Sequence, residues 1–235
     1  MVKLRFIGEG PSDVGLGAEI YDSQAGYGCV YWFVRNILEK WKGKHVHIRR
    51  SRDIFPRLNL RLRPRRGYEA KVRAALVQAR EEQMDGVVIV VDQPPSREVS
   101  RLARMQEGRK EAREQGITTP CALGVAIPEI EAWLLADERA RAKNLPPVGR
   151  RPLPVASPET LPDAKSHFLT LYGEYRRERE LKNQPPKKKS EVGESLAIDA
   201  RVDHLERLCP RGFAPFAEDV QNEIGENLFR RKSRR

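Results

Sequence analysis

Three apolar runs in this 235-residue chain each end in a carboxylate, and that pattern limits the fold more than any other feature. Leu4-Arg-Phe-Ile-Gly-Glu-Gly10 delivers Glu9. Val87-Val-Ile-Val-Val-Asp92 delivers Asp92. Leu123-Gly-Val-Ala-Ile-Pro-Glu-Ile-Glu-Ala-Trp-Leu-Leu-Ala-Asp137 delivers Glu129 and Glu131, with Asp137 six residues beyond. A continuous β-branched run such as Val87–Val91 is the signature of a strand buried on both faces. Acids at the ends of such strands cost desolvation unless a cation or hydrogen-bond donors satisfy them.

Strands are expected over Lys3–Ile7, His45–Arg49, Val87–Val91 and Cys121–Ile127. Helical spacing predicts helices from Val30 to about Lys42, over Gly67–Gln83 and Glu98–Gln115, and from Glu129 to Ala136. Residues 14–29 are glycine-rich and irregular, and 50–66 read as an arginine-rich loop. Alternating strands and helices imply an α/β domain with a mainly parallel sheet flanked by helices. Ligands of such sheets sit outside the carboxyl ends of the strands, where Glu9, Asp92 and Glu129 are expected. From Asn144 the composition changes. A proline-punctuated linker leads into helices over Asp163–Tyr175, Val192–Leu208 and Phe213–Phe229. The expected division is 1–143 for the α/β domain, 144–229 for linker and C-terminal helical subdomain, and 230–235 for a basic tail.

The net charge is +11, and the excess is clustered. Arg49, Arg50, Arg52, Arg57, Arg61, Arg63, Arg65 and Arg66 face only Asp53 within 49–66, and Lys187, Lys188 and Lys189 form a second patch. Such clusters are the electrostatic footprint of nucleic-acid binding, and the planar guanidinium suits phosphate oxygens. No run reaches the 18 or so apolar residues of a membrane span, and no secretory signal opens the chain. Cys29, Cys121 and Cys209 are too scattered for a C-x-x-C pair and read as buried thiols of a cytoplasmic protein. Neither a G-x-x-x-x-G-K-[ST] loop nor a G-x-S-x-G elbow occurs, and the four histidines lack zinc spacing.

Several residues are candidates for metal-dependent chemistry on phosphates. Glu9 lies between two glycines, and Asp13 follows four residues later. Asp92 is followed by Gln93-Pro94-Pro95, which opposes an immediate helix for it to cap. Glu129 and Glu131, two apart on a helix starting at Pro128, point to different faces, so one of them is expected at the site. Mg²⁺ or Mn²⁺ is the cation such carboxylates select, with waters and substrate phosphates completing the shell. Lys165 is a candidate phosphate contact, and Trp133 reads as core packing.

These motifs resemble the Toprim domain shared by topoisomerases, DnaG-type primases and OLD-family nucleases. Ile7-Gly-Glu-Gly-Pro-Ser-Asp13 is similar to the opening of the OLD-like branch, and Val87–Asp92 to the second motif. Ile127–Asp137 and the ending Ala197-Ile-Asp…Cys209-Pro-Arg-Gly-Phe-Ala-Pro-Phe216 resemble a Toprim-like family often encoded beside AAA ATPases in bacterial defence loci. The resemblance implies a Mg²⁺- or Mn²⁺-dependent nuclease, with Glu9, Asp92 and Glu131 catalytic and Glu9, Asp13, Asp92, Glu129 and Glu131 as metal ligands. Candidate partners are nucleic acid, an AAA-type ATPase and further copies of the chain. One departure stands out. The family pattern has Asp-x-Asp where this chain has Asp92-Gln93-Pro94, so one expected ligand is missing and Gln93, Glu129 or Glu131 is left to compensate. A non-catalytic binding module on the same fold is the rival expectation, and nucleotidyl transfer a third.

Overall fold

A computed structural model describes residues 2–9, 27–43, 46–54, 67–93 and 100–230. Four parallel strands form one sheet: β1 (Val2–Gly8), β2 (Ile48–Ile54), β3 (Gly86–Asp92) and β4 (Cys121–Ala126), in the order β2-β1-β3-β4. The register runs Val2↔Ile48 to Gly8↔Ile54, Leu4↔Gly86 to Ile7↔Ile89, and Val87↔Cys121 to Asp92↔Ala126. The α/β class expected from the sequence is present. One boundary moves: β2 continues to Ile54, into the stretch read as loop, because its backbone pairs with β1 along that strand's whole length. Pairing of this kind overrides the low strand propensity of Arg-Arg-Ser-Arg-Asp.

The chain leaves β1 through α1 (Cys29–Lys42) toward β2, then returns across β1 through α2 (Tyr68–Glu81) to β3. α3 (Arg101–Glu114) leads on to β4. The strand order therefore reverses between β1 and β3. In open α/β sheets such a reversal is the point at whose carboxyl ends ligands bind.

Both faces of the sheet are covered, as a parallel sheet requires. Val87, Ile89 and Val91 of β3 pack with Met105, Val72 and Leu76 of α2 and α3. Val88 and Val90 point the other way, into a core shared with α1 and the C-terminal helices. Those helices are α4 (Ile130–Ala136), α5 (Glu138–Asn144), α6 (Ala164–Leu181), α7 (Lys189–Asp199), α8 (Val202–Leu208) and α9 (Phe213–Asp219), continued by π-helical Val220–Arg230. Leu196, Phe213, Phe216 and Ile224 thus share one apolar core with Leu4, Phe6 and Val88.

The helix expected over 192–208 is broken at Ala200–Arg201, both extended. The backbone N–H of Arg201 donates to Asp137 Oδ2 at 3.0 Å instead of continuing the helix. Asn36 Nδ2 donates to carbonyls at that break, Ala197 O at 3.0 Å and Ala200 O at 3.3 Å. β4 is an edge strand, and side chains occupy its polar groups. Asp219 Oδ2 accepts the Leu123 N–H at 2.7 Å, while Arg109 Nη1 donates to Cys121 O at 2.7 Å and to Asp219. These contacts bind the edge to the terminal helices and remove a pairing template.

The inner face of β4 carries Ala122, Gly124 and Ala126, and this smallness admits the Phe216 ring. A Cβ on Gly124 would lie 2.6 Å from Phe216 Cδ2. Gly124→Val is expected to destabilise by about 1–3 kcal/mol through overpacking. Thermal unfolding should show a fall of a few degrees in Tm for each kcal/mol lost. An unchanged Tm would contradict this packing.

Candidate active site at the carboxyl edge of the sheet

The reversal between β1 and β3 sets Glu9, one residue past β1, beside Asp92, the last residue of β3. Between them lies Arg101, the first residue of α3 and only 8% exposed. Its Nη1 donates to Glu9 Oε1 at 3.0 Å and also to the Asp92 carbonyl oxygen. The guanidinium lies 5.1 Å from the Tyr68 ring centroid, a cation–π contact that braces it from α2. Arg101 Nε, buried, has no hydrogen-bond partner.

The neighbours of Asp92 explain its position. Its Oδ1 accepts the Ile130 N–H at 3.0 Å, so the end of β3 caps the helix that follows β4. The prolines after Asp92 excluded a helix adjacent in sequence, and the carboxylate caps one 38 residues away instead. Gln93 donates its N–H to Ala126 O at 2.8 Å and Pro128 O at 3.1 Å, while its Oε1 accepts the Arg101 N–H at 2.9 Å. The Gln93 side-chain oxygen, expected as a substitute ligand, therefore helps start α3 instead.

The paired glutamates separate, and not as two faces of one helix. α4 starts at Ile130, so Pro128 is outside it and Glu129 is an extended N-cap residue. Glu129 Oε1 accepts the Lys165 N–H at 2.9 Å, at the start of α6. Glu131 lies in the first turn of α4 and is buried. Asp137 is fully buried and structural. It caps α5 through Arg139 N at 2.9 Å, and it accepts Arg201 Nε at 3.0 Å and Nη2 at 3.2 Å. Burial raises its carboxyl pKa, but the hydrogen bonds from Arg201 and from Ala140 N–H outweigh this and hold it below the ordinary aspartate value. Trp133 is core, in ring contact with Phe33, Phe213 and Phe216.

Carboxylate oxygens are the donor type that Mg²⁺ and Mn²⁺ prefer, and Mg²⁺ sites commonly use one or two carboxylates with waters and substrate phosphates. Glu9 and Asp92 fit that donor set, and Arg101 already places one positive charge there. Among the described residues no group of three or more His, Cys, Asp or Glu is gathered closely enough to hold an ion. Asp13 lies outside the described residues.

Of the basic candidates, Arg61, Arg63, Arg65 and Arg66 lie outside the described residues, and of Arg50 and Arg52 only the backbone on β2 is described. Arg49 is half-buried, opposite Lys3. That strand ends at Ile54, paired with Gly8, one residue before Glu9. Lys165 is exposed at the start of α6. Lys187, Lys188 and Lys189 are exposed at the start of α7, which packs on α1 and α5.

The sequence reading did not single out Arg101 or Glu159. Nothing in a chain with 44 Lys and Arg marks Arg101 as the one that bridges Glu9 and Asp92. Glu159 is buried, and its Oε1 and Oε2 accept Gly212 N–H at 2.6 Å and Arg211 N–H at 3.0 Å. It thereby holds the Cys209–Phe213 turn, and burial raises its carboxyl pKa despite those bonds. The three cysteines are buried and free, and burial pushes the Cys121 thiol up to about 12.

Compared with protein-family models, with curated proteins and with solved structures, the chain shows no match. Among the described residues no helix is long and apolar enough to cross a membrane.

Because the folded state lowers the pKa of Asp137, its contribution to stability is present above the unfolded value and lost as pH falls through the folded one. Asp137→Asn is expected to cost about 1–3 kcal/mol near neutral pH. The gap to the parent should narrow below about pH 4. Denaturant unfolding of both proteins from pH 7 to pH 3 measures this; a constant gap would refute the assignment.

Proposed function

We propose that the chain is a metal-dependent nuclease that hydrolyses phosphodiester bonds of DNA or RNA at the carboxyl edge of its sheet. The observation that carries the reading is that Glu9 and Asp92 end neighbouring strands at the β1/β3 reversal, bridged by Arg101 through the Glu9 carboxylate and the Asp92 carbonyl, where α/β sheets bind ligands. Glu9 and Asp92 would hold Mg²⁺ or Mn²⁺, and Glu131, buried one residue past the helix start that Asp92 caps, is the candidate third acid. When bound, such an ion polarises a phosphoryl oxygen and lowers the pKa of the attacking water.

The chain's own residues have separate tasks in this scheme. Glu9 accepts or returns a proton at its carboxylate when it is not engaged as a ligand. Arg101 orients that carboxylate through Oε1, and its buried Nε–H offers a donor to a phosphate oxygen. The arginines of 49–66 would neutralise flanking backbone phosphates, and Lys165, whose N–H bonds Glu129, is a further candidate phosphate contact. The resemblance to a Toprim-like family supports two further parts of the proposal: action as an effector of bacterial antiphage defence, and an AAA-type ATPase as partner, in the cytoplasm.

A second reading is favoured by two contacts: Glu9 paired with Arg101, and Asp92 capping Ile130. In that reading the acids are structural, and the chain is a non-catalytic nucleic-acid-binding or ATPase-docking subunit.

Mixed DNA and RNA substrates with Mg²⁺ or Mn²⁺, alone and with a partner ATPase, separate the two. Glu9→Ala and Asp92→Ala should each lower cleavage by about a hundredfold or more while leaving nucleic-acid binding largely intact. Metal-dependent cleavage that both variants retain would sink the mechanism, and binding without cleavage would support the docking subunit.

A further inference from the structure

Away from the sheet-edge acids, a cleft of about 500 Å³ lies between α5, the 152–158 segment and α8. Four arginines line it, Arg139, Arg141, Arg201 and Arg207, against one carboxylate, Glu138. Arg201 is already committed, bonded to Asp137 and donating from Nη2 to His204 Nδ1 at 2.8 Å.

Arg141 is different. It is 3% exposed, and its Nη1 donates only to carbonyls, Arg151 O at 2.7 Å and Gly149 O at 3.4 Å. Its Nε is buried with no hydrogen-bond partner. Glu138 and Asp137 attract it from a distance, but burial outweighs them and disfavours its charged form. A guanidinium cannot shed its proton to escape this cost. A buried cation without an ion-pair partner is a large penalty, and an anion entering the cleft removes it.

The cleft is larger than a bare anion requires, and part of its wall is apolar. Leu153 and Leu208 line it and pack against the main core. Its volume falls in the range of small-molecule sites. We propose that this cleft binds a small phosphate-bearing ligand of the nucleotide class, its phosphate at Arg141, Arg139 and Arg207 and its base against Leu153 and Leu208. The site is separate from Glu9 and Asp92, so the proposal does not rest on the nuclease reading. A phosphorylated strand end presents the same chemistry, and the test separates that source.

Calorimetric titrations of the full chain with ADP, inorganic phosphate and a 5′-phosphorylated tetrathymidylate provide the test. ADP should saturate one site per chain, with inorganic phosphate about tenfold weaker or more. Arg141→Met should weaken ADP by about tenfold or more, and Arg207→Ala, at the exposed rim, by about threefold to tenfold. Should Arg141→Met fail to fold, Arg207→Ala still decides. Glu9→Gln should leave ADP binding unchanged. The proposal is overturned if ADP does not bind, if neither arginine variant weakens it, or if Glu9→Gln abolishes it. Equal affinity for phosphate and ADP would refute the apolar half of the site. Tighter binding of the tetrathymidylate, lost in the same arginine variants, would assign the cleft to strand ends instead.

Discussion

A parallel sheet of this kind cannot leave either face to water, because its central strand β3 and its neighbour β4 are buried along both faces. α2 and α3 cover one face. α1 covers part of the other, and the segment after Asn144 completes it. This requirement explains why small residues on β4 meet Phe216, and why Trp133 lies among Phe33, Phe213 and Phe216. It also explains the polar ties between distant parts of the chain. Asp219 on the edge strand, Asp137 on Arg201 and Glu159 on the Cys209–Phe213 turn each fix a late element to an early one.

The reversal between β1 and β3 follows from the same architecture. Connections run in opposite directions from these neighbouring strands, the arrangement at whose carboxyl ends α/β sheets bind ligands. Two carboxylates arrive there because each terminates its strand. Arg101 then balances part of their charge, and the N-terminus of α4 takes one oxygen of Asp92. The arrangement leaves Arg101 Nε without a partner and is rich in acceptor oxygens, the donor type a hard cation takes up together with a phosphate substrate.

Much of this was legible along the chain. The run Val87–Val91 announced a doubly buried strand, and the alternation of strands and helices announced the parallel sheet. The reversal point followed from neither, since strand order is set by which faces remain to be covered. Glu9 and Asp92 were visible as strand-end acids, whereas Arg101 was one basic residue among many. Asp137 carried the family resemblance without revealing its role, because its partner Arg201 lies 64 residues away. The break at Ala200 had no local signal, since neither glycine nor proline marks it and the cause is that same aspartate.

The sequence by itself determined the element types, the burial of the sheet on both faces and the presence of acids at strand ends, because these depend on local periodicity and on where apolar runs stop. Tertiary structure alone decided which acids meet and which cation sits between them. It also separated Glu129 from Glu131 and placed an unpaired arginine in a cleft. These outcomes depend on contacts between residues far apart in the chain, whose free energies no local pattern encodes.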